Sequence, residues 1–188
     1  MKANSQLKKI LISQTRIKLI NILFHTPKEI YYVRELVRKT NEEINSVRRE
    51  LDNLLKADLI IQDKRANRVY YGANPKSFYF NDLLLIAHKN SPLANIHHLK
   101  YLFLSYDFAT NTPHSADNID IVIVGDVSYK EVETLIKQEE GKLNKEINYM
   151  IMDKYEFQLR RSRRDQFIVD FFLSSPLVVY GDLSNLNA

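Results

Sequence analysis

The chain contains no cysteine. That absence removes disulfides, thiolate metal sites and thiol nucleophiles together, and it excludes a sensor that grips a metal or metalloid through sulfur. No apolar run reaches the roughly 18 residues of a membrane-spanning helix, and no short apolar segment follows a basic start, so neither a span nor a secretory signal is expected. Repeats, low-complexity tracts and long linkers are missing as well. The protein is therefore expected in the cytoplasm, with no membrane partner. What is present is 188 residues of which 45% are hydrophobic, enough for packed cores in one domain or two small ones.

Charge divides the chain. Residues 1–76 carry 16 Lys and Arg against 8 Asp and Glu, and residues 77–188 carry 11 against 15, so the net +4 hides +8 beside −4. A polyanionic partner for the first part is the physical expectation, because phosphate neutralisation supplies most of the sequence-independent affinity for nucleic acid.

The spacing within the basic part is informative. Residues 1–12 are a polar lead-in that turns apolar. Ser13 is a candidate cap, Ile17, Ile20, Leu23 and Phe24 form a helical stripe, and Pro27 ends it. Val33, Leu36 and Val37 then share one helical face. Thr40 and Asn41 break that helix, and Asn41 can take the left-handed backbone that a turn of about three residues demands. A second helix follows with Ile44, Val47, Leu51 and Leu54 inside, leaving Asn45, Ser46, Arg48, Arg49, Asp52 and Asn53 outside. Beyond Ala57 the period becomes extended: Leu59 to Ile61 begin a strand, Ala66 and Asn67 turn it, and Val69 to Tyr71 return. Lys64, Arg65 and Arg68 crowd the tip of this hairpin.

Helix, short turn, helix and basic hairpin, in that order, form a winged helix-turn-helix pattern. In such proteins the N-terminal half of the second helix enters the major groove, where Arg and Asn pair with base edges. Asn45, Ser46, Arg48 and Arg49 are the candidate readers. Lys64, Arg65, Asn67 and Arg68 are the candidate phosphate or minor-groove contacts. The bland alternative is a small helical domain with a solvated hairpin. Leu36, Asn41, Ser46-Val47, Arg49, Leu51 and Ala57-Asp58-Leu59 resemble the core pattern of ArsR-like winged-helix transcriptional regulators, with Glu43 at the usual Ser or Thr cap. The resemblance implies duplex DNA as partner and a homodimer matching two half-sites.

Asn74-Pro75 is a stop, and residues 76–99 are expected to hold a linker helix with Phe78, Leu84, Leu85 and Ala87 on its apolar side, open to use in a dimer interface. His88, His97 and His98 lack a nearby Cys to complete a ligand set, so neither metal nor cofactor is expected. Residues 100–188 then read as a small α/β domain. An apolar strand from about Lys100 is followed by a polar loop, a strand of alternating Ile and Val up to Gly125, a helix, and a strand from Ile147 to Met152. A helix from Asp153 passes through Arg160 to Arg164 and continues over Phe167 to Leu173. The arginine run reads as a solvated face, or as a grip on phosphate or an acidic partner.

Ser105, Asn118, Asp120 and Asn148, with Leu104, resemble a degraded form of the minimal nucleotidyltransferase signature. That signature is a strand ending in Gly-Ser, then Asp-x-Asp, then a third carboxylate on a later strand. Its chemistry needs Gly for triphosphate approach and carboxylates to hold Mg²⁺. Here Leu104 replaces Gly, Asn118 the first Asp and Asn148 the third carboxylate. Asp117 is adjacent but on the opposite strand face. The resemblance implies an α+β protein whose second domain is a nucleotidyltransferase-like pseudoenzyme, serving dimerisation, sensing of a small molecule or protein binding. The alternatives are an active nucleotidyltransferase acting on protein or RNA, and an interaction module whose hairpin never meets DNA.

Overall fold

The computed structural model of the protein describes residues 13–113, 115 and 118–182, so the lead-in at 1–12 and Asp117 lie outside the described residues. The class is mixed α+β, in two compact units, Met1–Asn90 and Ser91–Ala188.

In the first unit, helix α1 (Gln14–His25) begins at Ser13, whose hydroxyl accepts the Arg16 amide at 3.2 Å. Its buried side chains include Ile17, Leu19, Ile20, Leu23 and Phe24. A short strand, β1 (Tyr31–Tyr32), runs directly into α2 (Val33–Thr40). Asn41 then takes φ 52 and ψ 46, the left-handed conformation expected of it, and α3 spans Ile44–Lys56. Glu43 stands at the start of α3 with no side-chain cap hydrogen bond. Strands β2 (Ile60–Arg65) and β3 (Arg68–Ala73) pair antiparallel around Ala66 and Asn67, and β1 joins β3, giving the order β1-β3-β2.

The helix expected to link two domains instead completes the first unit. Helix α4 (Phe80–Lys89) packs on α1, with the Phe24 and Phe80 rings 6.0 Å apart and Asn90 donating to Asn21 at 3.2 Å. The physical reason lies in α1, whose buried residues spread beyond one stripe once Leu19 is counted, so that it needs a second cover. Leu83, Leu84, Ala87 and His88 are buried in α4, whereas Phe78 precedes the helix and is 90% exposed. The division therefore falls after Asn90 rather than at 75 and 99.

The junction after α3 depends on one buried amide. Asp58 holds a left-handed φ of 55, and the Asn74 side chain donates to both its carbonyl and its carboxylate at 3.0 Å while accepting the Lys76 amide at 3.1 Å. Asn74→Ala is expected to lower the unfolding free energy by about 1–3 kcal/mol, since the buried Asn74 amide loses its three bonds to the exposed Asp58 and Lys76 together. Urea denaturation checks this, and an unchanged midpoint would contradict it.

The second unit contains a 3₁₀ turn (Pro92–Asn95), β4 (Leu99–Leu104), α5 (Tyr106–Ala109), β5 (Ile121–Gly125), α6 (Tyr129–Leu143), β6 (Tyr149–Met152), α7 (Lys154–Ser162), α8 (Gln166–Leu173) and β7 (Leu177–Tyr180). The sheet order is β6-β5-β4-β7, with β5 parallel to β6 and β4 antiparallel to both β5 and β7. The parallel pair requires a crossover, and α6 supplies it. Every residue of β5 is buried, as a central strand covered on both faces must be. Tyr101, Phe103, Val122, Val124, Phe157 and Phe171 belong to one core cluster.

The helix expected to run unbroken from Asp153 to Leu173 is interrupted. Arg164 takes φ 51, and Asp165 caps α8 by accepting the Ile168 amide at 3.3 Å. A short Asp side chain that satisfies backbone donors competes with helix continuation. Arg160 pairs with Glu156 at 2.8 Å and Asp165 at 3.4 Å, and Arg161 lies over the Phe157 ring, so the arginine run is split among different neighbours. Among the described residues, no helix is long and apolar enough to cross a membrane.

Candidate nucleic-acid interface

Helix α3 turns Val47, Leu51 and Leu54 inward, with Ile44 half-buried at its start. The 3.6-residue period then dictates what remains outside. Asn45, Arg48, Arg49, Asp52 and Asn53 are exposed and Ser46 is half-buried among them. All four candidate readers thus lie in the first half of one helix.

Two acidic anchors, Glu50 and Glu42, fix this helix and the turn before it. Glu50, 4% exposed, accepts the Arg16 guanidinium at 2.8 Å. Burial alone would raise its carboxyl, but hydrogen bonds from Ser13, Arg16 and Asn53 and the Arg16 charge outweigh it and hold the group below its ordinary value. Glu42 accepts Lys18 at 2.6 Å and Thr15 at 3.2 Å, chiefly through Lys18 falling below the usual carboxylate range. The same Lys18 ammonium donates to the Thr40 carbonyl at 2.7 Å, clasping the end of α2 to the turn. The Tyr71 hydroxyl of β3 is pushed up chiefly by burial and also by the Asp52 charge, against the opposing Arg48 charge.

Glu50 makes the unit sensitive to acid. Its folded pKa lies below its unfolded one, so its stabilisation is present above the unfolded value of about 4.5 and is lost as pH falls through the folded value. Unfolding free energy is expected to decline from about pH 5 downward, and less steeply in Glu50→Gln than in the wild type. Parallel pH profiles for the two proteins would contradict this role.

The hairpin tip carries its cations on aromatic supports. Arg65 pairs with Asp63 at 2.7 Å and lies 5.8 Å from the Tyr70 ring centroid, while Arg68 lies 5.5 Å from that of Tyr32. Tyr32 and Tyr70 meet edge to face at 6.3 Å, opposite each other in the β1–β3 register. Lys64, Arg65, Asn67 and Arg68 are all exposed. Ala66, with φ 50, makes the turn between them.

In the second unit the five positions of the degraded motif lie close together but perform structural tasks. Leu104 is 2% exposed and pairs with Ile121 and Leu177 in the sheet. Ser105 caps α5 by accepting the Phe108 amide at 3.1 Å, and its own amide donates to the Asp120 carbonyl at 2.8 Å. Asp120, 1% exposed, accepts the Asn148 amide at 3.0 Å and has the Lys145 ammonium 3.6 Å away. The Asn148 side chain donates to the Asn118 carbonyl at 3.2 Å. These residues do not fit a divalent cation, because the single carboxylate among them is buried and already neutralised by an ammonium. Among the described residues, no group of three or more His, Asp or Glu side chains could hold a metal ion. His88 is buried against His25, at 4.8 Å between rings, and His97 meets Glu131 at 2.8 Å.

No family model, curated protein or solved structure matches the chain. Its functional reading accordingly rests on its own residues. Sequence reasoning missed Tyr32 and Tyr70 as supports for the tip, because a two-residue strand has no period to detect. It also missed Lys145, which reads as an ordinary surface lysine until the fold brings it to Asp120.

Proposed function

We propose that the first unit is a winged helix-turn-helix that binds duplex DNA, with α3 in the major groove and the β2–β3 hairpin as its wing. The observation that carries this reading is the joint exposure of Asn45, Arg48 and Arg49 on one helix face and of Lys64, Arg65 and Arg68 at the adjoining hairpin tip. Arginine and asparagine are the side chains best suited to bidentate contacts with guanine and adenine, and a basic tip suits phosphates. The excess of positive charge in residues 1–76 supports the same partner.

On this reading the protein is a cytoplasmic transcriptional regulator of the ArsR-like kind that acts as a homodimer, two copies of α3 addressing two half-sites. The second unit is a nucleotidyltransferase-like domain without transfer activity, serving dimerisation, sensing or partner binding. The engagement of Asp120 by Lys145 and Asn148 supports its inactivity, since the carboxylate that chemistry would need is occupied.

Wing substitutions test the phosphate contacts. Lys64→Ala and Arg68→Ala are each expected to weaken selected and unrelated duplexes alike, and to reduce the slope of log affinity against log salt by about one. Fluorescence anisotropy at several salt concentrations measures both quantities. Binding that does not respond to salt would refute the proposed function.

A further inference from the structure

A cleft of about 320 Å³ opens in the second unit beside the degraded motif. Part of the lining is a single face of α8 and the residue that ends it, where Phe167, Asp170, Phe171 and Ser174 recur at three- and four-residue spacings. The rest of the described lining comes from Ser105 to Asp107 and from Asn118 and Ile119. Phe167 and Phe171 lie 6.3 Å apart between ring centroids with 26° between planes, so part of the lining is aromatic. Its volume falls at the small end of ligand sites, which run from about 300 to 1,000 Å³.

The chemistry of the lining selects the sign of its ligand. Asp107 and Asp170 contribute two carboxylates, and among the described lining residues there is no Lys, Arg or His. Asp170 accepts Gln166 at 2.7 Å, a neutral donor that leaves its charge uncompensated by that bond. A triphosphate would meet like charge here. An ammonium group would find carboxylates for its N–H donors, and the two phenylalanines would meet an apolar body.

We propose that this cleft binds a small organic cation, an amine with an apolar or aromatic body. The assignment stands independently of DNA binding. Asp107 and Asp170 hold the ammonium, Phe167 and Phe171 cover the hydrocarbon part, and Asn118 and Ser105 supply neutral polar contacts.

The test is isothermal titration of the full-length protein with phenethylamine, with the neutral 2-phenylethanol and with ATP as comparison probes. Phenethylamine is expected to bind at least about tenfold more tightly than the alcohol, since a hydrogen bond to a charged group contributes more than one between neutral groups. Asp170→Asn and Asp107→Asn should each lower its affinity by about tenfold. Ser174→Phe fills the cleft from its exposed rim and should abolish binding while leaving thermal unfolding unchanged. ATP bound more tightly than the amine, or amine binding indifferent to all three substitutions, would overturn the proposal. So would an absence of heat with every probe at millimolar concentration.

Discussion

Arg48→Ala and Arg49→Ala are each expected to weaken binding to a selected operator by about 1–3 kcal/mol, the usual worth of a bidentate contact to a base edge. The loss should be specific to sequence. Affinity for unrelated duplexes should change only by the phosphate share of each arginine, and the preference among bases at the contacted position should relax. Both side chains are exposed, so stability should move by no more than about 0.5 kcal/mol. Competition binding against a panel of single-base operator variants separates these outcomes. Equal losses on every sequence would make the two arginines phosphate contacts rather than readers of base edges.

The opposite pattern is expected inside the same helix. Leu51, fully buried on the inner face of α3, should cost about 2–5 kcal/mol of stability when changed to Ala, because the lost transfer energy adds to the cavity left behind. Small domains have only about 5–15 kcal/mol to lose. Under conditions where the protein remains folded, Leu51→Ala should retain the base preference of the wild type at reduced overall affinity. Urea titration gives the first quantity and the operator panel the second. A Leu51→Ala protein of unchanged stability would mean that α3 is not packed as described.

These two residues are three apart from Arg48 to Leu51, and the contrast between them was legible in the sequence because α3 is long and strongly periodic. The left-handed Asn41 was legible for a related reason, since few residue types other than Gly adopt that backbone without a large cost. Strand β1 was not, being too short for periodicity to register. Helix α4 was legible as a helix but not in its place, because an apolar face announces that it will be covered without saying by what. The candidate site divides in the same way. The candidate readers on α3 and the cations of the hairpin come from one continuous stretch, and their exposure was legible together. The cleft of the second unit was not, since Asp107 and Asp170 are brought to it from elements far apart in the chain. The fate of Asp120 was likewise hidden, because its ion pair with Lys145 and its hydrogen bond from the Asn148 amide come from beyond α6.

The proposed entry of α3 into the major groove has a direct chemical readout. After selection of bound duplexes from a random pool, dimethyl sulfate interference on the enriched sequence distinguishes the grooves, since guanine N7 lies in the major groove and adenine N3 in the minor. The account predicts interference at guanine N7 within each half-site, lost for one guanine in Arg48→Ala or Arg49→Ala. Enrichment of no sequence, or interference confined to adenine N3, would contradict it.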